Sequence, residues 1–591
     1  MTPVPVPPQR SARWNRALAL VFLLGVLVQL PTLGVGFFAD DYVHQLALED
    51  ESGLVPMPRW NLYDFRSAGD WEAFGQERGA FPWWTSADWK VRFFRPLTSL
   101  SLWLDHALFA DWAPGYHATS FFLWIALLLL VHRLFLALEL PPRAALLGLL
   151  LFVLSDASSV PVGWIANRNS LLEALGSTAA LLLVLRGRGV PGPGAIAGAL
   201  AAATAAALSK ESGALAFVLI AVALWMRGRS SAGPELARAR AGALLALLFL
   251  AAHLAFLARA GFGTRSLFYA TPWIDPGRFA GNLFLLATGG VLSLVGPFSL
   301  DLAMLFPAVR TGLVLAGVLL GWPLALWIAR GARGRSGAGL LALWTVLFLL
   351  PQGGVVGADR LLFVPSIGAA GLGALFWLAE RERWREHSRA RRALLFALAA
   401  SATLGSGAFL LLQNVALAGM ASHVRTKALA TEVGPRELGR RDVVVLQTES
   451  QMQAFTLGAT WHVERDDPLV HFWLLQSGPR ALCWTRIDER SFELESRGAP
   501  FLSGPFEQVY LSSPPPPPAG TRFETPLFAV EALESDASGL CRIRVELARS
   551  LDDPALSFVR PVEGVLTRIA PPPVGGSLEL PAAVPSRPFV P

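Results

Sequence analysis

Long apolar runs set the rhythm of this chain. In the first 415 residues they recur near 17–35, 116–137, 143–160, 169–186, 194–209, 211–226, 241–259, 309–329, 338–356, 361–379 and 393–414. Helices apolar on every side, rather than along one stripe, belong in a bilayer. The pattern predicts a polytopic α-helical membrane protein with about eleven transmembrane helices. After residue 420 the pattern changes. "DVVVL", "FELES", "QVYLSS" and "CRIRVEL" read as short strands, separated by turns and by a proline run at 514–518. The expected organisation is a membrane domain over 1–419, with a long loop at 36–115, and a β-rich domain with Pro-rich segments over 420–591.

The chain is 53% apolar and only 16% charged, against about 25% charged in ordinary soluble domains. Its mean hydropathy is +0.46. The net charge of +6 does not point to nucleic acid, because the arginines fall in short clusters between apolar runs, where they set topology. With a cytoplasmic N-terminus, carrying Arg10, Arg13 and Arg16, the inner connections hold Arg133 and Arg143, Arg186 and Arg188, the 227–240 cluster, the 330–335 cluster and the 381–392 cluster. The 36–115 loop and the C-terminal domain are then extracytoplasmic. The location implied is the inner (cell) membrane, multi-pass.

Two stretches test this count. One long helix over 194–226 would export the 227–240 arginines, whereas two short helices meeting at "SKES" keep the rule. Each would be about 24 Å long, short of a hydrocarbon core of about 30 Å, which leaves Lys210 and Glu211 in a recess. The 281–298 run is read as interfacial or re-entrant. In the long loop, Trp60, Trp71, Trp83, Trp84, Trp89, Trp103 and Trp112 and the stripe Leu97, Leu100, Leu104 and Leu108 suit a headgroup-level belt; sugar stacking is a second use of such rings. Cys483 and Cys541 are the only cysteines. They either pair in an oxidising compartment or stay as buried thiols.

Ionisable residues collect at the outer helix ends: Asp40 and Asp41, Arg95, His117, Asn167 with Arg168 and Glu173, Lys210 and Glu211, Asp301, then Asp359 and Arg360. One such residue is ordinarily a snorkelling group or a helix–helix ion pair. Several helix ends supplying them on one side point to a shared cavity. Its carboxylates serve base chemistry and its cations suit a phosphate, so a phosphate-linked lipid fits.

"FADDY", "FRPLTSL", "GYH", "WIANRNSLL", "LSKES" and "DRLLFVPSIG" occur in that order. The set resembles the GT-C membrane glycosyltransferases, in particular the protein O-mannosyltransferase-like branch with its transmembrane and tetratricopeptide-repeat members. The likeness covers 15–380. It implies inverting transfer of a hexose from a polyprenyl-phosphate sugar to an acceptor hydroxyl, on a protein or an envelope glycan. Asp40 or Asp41 would be the base, with Asp40 favoured. Arg95, His117, Arg168, Lys210, Glu211, Asp359 and Arg360 would bind substrate, with Arg360 at the donor phosphate. No metal or other cofactor is expected, although adjacent carboxylates also suit a divalent ion. "NRNSLL" and "ADRLLF" depart from the family's usual "GRADLL" and "ERYLY", and no tetratricopeptide period follows residue 415. The alternatives are an aminoarabinose-transferase-like enzyme acting on a lipid or glycan, and a non-enzymatic transporter. The latter predicts an internal two-fold repeat, which the sequence does not show.

Overall fold

The computed structural model describes residues 12–49, 56–66, 79–187, 189–305, 307–433, 442–465, 472–514, 516–536 and 539–583. Arg10, Trp71 and Arg188 lie outside them. The chain divides into two compact units. The first comprises Met1–Gly34, His117–Leu254 and Asp275–Leu417, and the second Val35–Tyr116, Ala255–Ile274 and Ala418–Pro591.

Every apolar run of the sequence is helical, and the chain is a polytopic α-helical membrane protein. Among the described residues eight helices are long and apolar enough to cross a bilayer: Arg13–Gly34, Ala113–Ala137, Ile165–Leu185, Glu211–Gly228, Gly233–Arg259, Ala308–Ala332, Asp359–Glu382 and Arg389–Leu429. Pro142–Val153 and Asp156–Gly163 form a further span broken by a 59° bend. Pro193–Ala207 and Ala338–Gly354 are the two shorter apolar helices. The break at "SKES" is real: one helix ends at Ala207 and a 3-10 turn starts the next at Glu211. The 281–298 run forms the helix Pro276–Ser293, started by Asp275, whose carboxylate accepts from Arg278 N–H.

Asp359–Glu382 is the central element of the first unit, 72% buried along its apolar window, whereas Gly233–Arg259 is only 11% buried and faces outward. Small residues bring the helices close, as expected where lipid supplies no hydrophobic drive between them. A Cβ on Gly368 would stand 2.5 Å from Leu341 O, and one on Gly176 2.8 Å from Ala202 O.

The second unit is built from strands of distant segments. Asp64–Arg66, Lys90–Arg92 and Gly263–Arg265 form a small antiparallel sheet. Asp64 accepts two bonds from Arg92, at 2.7 and 2.9 Å. A six-stranded antiparallel sheet runs in the order Ser577–Leu580, Ala481–Arg486, Ser491–Arg497, Gly539–Leu547, Phe528–Asp536, Arg522–Glu524. A four-stranded sheet runs Val565–Arg568, Leu556–Val562, Asp442–Val445, Phe472–Leu474. Its last three strands are parallel, which requires a crossover; the helix Gln451–Arg465 supplies it. The C-terminal region is therefore rich in strands, as expected, but its second sheet is mixed α/β. "DVVV" is buried along its whole length, as a central parallel strand is.

Several local expectations are corrected. "QVYLSS" is not a strand: Pro505–Val509 is a short helix, started by Gly504 N–H donating to Glu507, and 510–512 is a loop. Cys483 and Cys541 are free thiols. The strand Ser491–Arg497 lies between theirs, which separates them by about two strand spacings, near 9.5 Å, beyond disulfide reach. Trp83, Trp84 and Trp89 are buried, so the headgroup belt fails for these three. Trp83 and Trp84 join the core of Val443, Val445, Trp461 and Trp484. Trp60, Trp103 and Trp112 remain exposed. The helix Pro96–Phe109 is amphipathic as expected: Thr98, Ser99 and Asp105 face inward, while Leu100, Leu104 and Leu108 are exposed.

Candidate functional site

Asp40 and Asp41 open the helix Asp40–Glu49, where two acids meet the positive end of the helix dipole. The turn before it is tight. Gly36 has φ +75° and Ala39 φ +50°, a left-handed conformation that costs a residue with a Cβ about 1–2 kcal/mol. The two carboxylates then part company. Asp41 is buried, and its Oδ2 accepts the Phe38 N–H at 2.9 Å, which holds the turn. Asp40 is half-buried and accessible. The next residue, Tyr42, is buried and its hydroxyl donates to Glu464 Oε1 at 3.0 Å. Arg425 also donates to that carboxylate, through Nε at 2.6 Å.

Arg95 lies in the same unit. Its N–H donates to Asn61 Oδ1 at 2.9 Å. Its guanidinium lies over Phe93, 4.3 Å from the ring centre, and over Tyr63 at 4.9 Å. Tyr63 also contacts the buried His44 edge-on, with ring centres 4.7 Å apart.

The remaining candidates belong to the first unit, where the segment 164–173 collects three cations. Arg168 is wholly buried and its Nε donates to Ser120 at 3.0 Å. Ser120 is one helical turn beyond the buried His117. Lys210 donates to Ser170 at 3.0 Å and pairs with Glu173 at 3.6 Å. Arg360 lies over the Trp164 ring, 5.1 Å from its centre. Asp359 is buried and accepts from Leu300 N–H and Ser299 Oγ, both at 2.7 Å, and from Gln413 at 3.3 Å. Its own N–H donates to Asp301 at 3.3 Å. Glu211 is half-buried beside Lys210 in sequence.

A division of labour recurs. In both "DD" and "DR" one residue is buried and holds the backbone, while its neighbour is accessible. The accessible set is Asp40, Arg95, Lys210, Glu211 and Arg360; Asp41, His117, Arg168 and Asp359 are buried. Trp164, Ser299, Gln413, Glu464 and Arg425 were not anticipated. Trp164 stood inside a quoted motif and was readable as a partner for a cation. The other four carry no sequence signal.

The first unit also holds an apolar crevice of about 550 Å³. Leu151, Ser155, Gly290, Leu362 and Ser366 line one part of it, and Arg333 and Arg335 stand in another.

No protein-family model matches the chain, and no curated protein does. Among solved structures, the chain is similar to the Archaeoglobus fulgidus oligosaccharyltransferase with a tethered acceptor peptide. The identity is 13% and the TM-score 0.42, over 80% of this chain and 64% of the other. It is also similar to ArnT from Cupriavidus metallidurans bound to undecaprenyl phosphate, with 15% identity and TM-score 0.41, over 76% and 85%. The chain thus spans less than two thirds of the oligosaccharyltransferase's length. With superpositions this loose, chemistry has to rest on the chain's own residues.

Proposed function

We propose that this protein is an integral membrane glycosyltransferase of the GT-C type. It moves a sugar from a polyprenyl-phosphate donor to an acceptor hydroxyl on the extracytoplasmic side of the inner membrane. The observation that carries the reading is the crevice of about 550 Å³. It is apolar, yet it reaches Leu362, two residues from the accessible Arg360. An amphiphile with a long apolar chain and an anionic head suits that combination, with Arg360 and Lys210 as the phosphate partners.

Asp40 supplies the base. The acceptor oxygen forms a bond to the anomeric carbon as the bond from that carbon to the phosphate oxygen breaks. Asp40 takes the acceptor's proton and polyprenyl phosphate leaves with the bonding pair. The leaving anion needs no acid, so one carboxylate suffices, unlike glycoside hydrolysis with its two. The motif order supports an O-mannosyltransferase-like enzyme with inverting hexose transfer. The alternative acceptor class is an envelope glycan or glycolipid, as in aminoarabinose transfer. The membrane domain over 1–419 would bind the donor. No metal is invoked.

Purified protein incubated with a panel of polyprenyl-phosphate hexoses tests the reading. Release of polyprenyl phosphate with a glycosylated product supports it, and turnover of no donor in the panel rejects it.

A further inference from the structure

The apolar crevice of the first unit has a charged end as well as the end at Leu362. Two helices line it lengthwise, each with one face. On Trp322–Ala332 the lining positions include Trp322, Ala325, Ala329 and Ala332, three or four residues apart. On Ala338–Leu349 they run from Ala338 through Ala342 and Val346 to Leu349. The rise from Trp322 to Arg333 is about 17 Å, so the crevice follows the helices rather than crossing them. Ala329, Ala342 and Val346 are exposed, and the crevice therefore opens sideways, where lipid chains lie. Its walls are fixed. Trp327 Nε1 donates to Glu380 Oε1 at 3.0 Å, and its ring meets Phe376 edge-on with centres 4.9 Å apart. Trp344 Nε1 donates to Val364 O at 2.8 Å. Both bonds tie their helices to Phe363–Glu382, and the alanines between them leave the gap open.

Arg333 and Arg335 stand at the end next to Ala332 and Ala338. They are not equivalent. Arg335 is committed: it donates to the two oxygens of Glu382 at 3.3 and 2.5 Å, and through Nε to Gly331 O at 3.3 Å. Glu382 closes the helix Phe363–Glu382 that Leu362 precedes, so this end of the crevice lies towards the opposite end of that helix from Leu362. A second carboxylate here, Glu139, accepts from Ser336 at 3.1 Å. Arg333 is exposed, and among the described residues it has no ion pair or hydrogen bond. The crevice thus ends on a cation that no carboxylate neutralises among the described residues. That cation belongs to the 330–335 cluster, which the distribution of arginines assigns to the cytoplasmic side.

An apolar slot open to lipid, with a basic residue at its mouth, suits an amphiphile with an anionic head. We propose that the Arg333 end of the crevice binds an anionic phospholipid of the cytoplasmic leaflet. An acyl chain lies between the alanine faces of Trp322–Ala332 and Ala338–Leu349, and the phosphate meets Arg333. A zwitterionic phospholipid offers the same chain, but its ammonium group opposes the arginine. The donor reading concerns the end at Leu362; this site lies at the other end and does not depend on it.

The test titrates the full-length protein in detergent with phosphatidylglycerol and with phosphatidylcholine of the same chains, and counts bound lipid by native mass spectrometry. The wild type should prefer phosphatidylglycerol by about five-fold or more, the effect of one basic residue near the surface. Arg333→Gln should abolish the preference, and Arg333→Lys, which keeps the charge, should retain most of it. Arg240→Gln removes an exposed arginine remote in sequence and should leave it intact. Ala342→Leu fills the slot and should weaken both lipids. Glycerol 3-phosphate, the head without chains, should not bind at the same concentrations. Equal affinity for the two lipids, an unchanged preference in Arg333→Gln, an equal loss in Arg240→Gln, unchanged binding in Ala342→Leu, or chainless phosphate binding as well as the lipid would each overturn the site. Polyprenyl phosphate titrated alongside separates the two readings: an Arg333-dependent preference for phosphatidylglycerol without polyprenyl phosphate binding upholds this site and rejects the donor reading.

Discussion

The Tyr42 hydroxyl donates to Glu464 Oε1 at 3.0 Å, across 422 residues of sequence. The bond links the residue that follows the Asp40–Asp41 pair to the crossover helix Gln451–Arg465. Arg425 holds the same carboxylate. The turn bearing the candidate base is thus anchored to the C-terminal region and does not stand as a free loop.

That link has a measurable strength. Removing the hydroxyl in Tyr42→Phe leaves Glu464 with Arg425 but without its phenol donor. A hydrogen bond to a charged group contributes about 1.5–3 kcal/mol net. A double-mutant cycle between Tyr42→Phe and Glu464→Gln, read from unfolding midpoints, should show a coupling of at least about 1 kcal/mol. Additive effects would show that the bond contributes nothing.

The two acids should fail in different ways. Asp40 is accessible and has the basic role, so Asp40→Asn should cut turnover by about 10²- to 10⁴-fold while leaving the fold and donor binding intact. Asp41 is 2% exposed and satisfies the Phe38 N–H. Asp41→Ala strands that donor, at a cost of about 1–3 kcal/mol, so its primary signature is a lower thermal midpoint. Full turnover in a stable Asp40→Asn protein would remove Asp40 as the base.

Asp359 and Arg360 divide in the same manner. Arg360→Ala should weaken polyprenyl phosphate binding roughly ten- to hundred-fold, the equivalent of one charge-assisted contact. The thermal midpoint should hardly move, since Arg360 is only half-buried and lies over the Trp164 ring. Asp359→Ala frees Leu300 N–H and Ser299 Oγ together, and should lower the midpoint before it alters affinity. Titrating both variants with polyprenyl phosphate, alongside thermal scans, separates the two. Equal affinity in Arg360→Ala and wild type would dismiss the phosphate role.

The helices were legible because a bilayer forces apolarity on each span by itself. The interruption at "SKES" was legible from the charges around it: one helix over 194–226 would export the arginines of 227–240. What could not be read was assembly at long range. The small sheet joins Asp64, Val91 and Thr264, and the bond from Tyr42 reaches Glu464; no local pattern announces either pairing. Trp83 and Trp84 look like interfacial rings until Val443 and Trp461 close over them. "QVYLSS" has β-type residues, yet Pro505 at the first turn and the Glu507 carboxylate on Gly504 N–H favour a helix start. For the site, the chemistry-bearing residues were visible in the motifs. Which member of each pair is buried was not, because burial is decided by the partners.

His44 provides the last prediction, one of pH. It is buried and its pKa is lowered from 6.5 to about 3, first by desolvation and also by the Arg95 charge, against the neighbouring Leu62 backbone, which raises it. The folded value lies below the unfolded one, so between these two pH values the unfolded chain binds a proton that the folded chain refuses. The neutral imidazole is therefore compatible with full stability above about pH 6.5. As pH falls from 6.5 towards 3, stability drops by up to about 1.4 kcal/mol per pH unit from this residue alone. His44→Gln carries no such proton. Its unfolding midpoint at pH 7 should lie below that of the wild type, because an amide fits the imidazole's place against Tyr63 less well. Between pH 6 and pH 4.5 the wild type should lose about 2 kcal/mol more than His44→Gln does, on top of the acid titration of carboxylates common to both. Parallel pH profiles for the two proteins would show that His44 takes up its proton in the folded state, and would reject the burial argument.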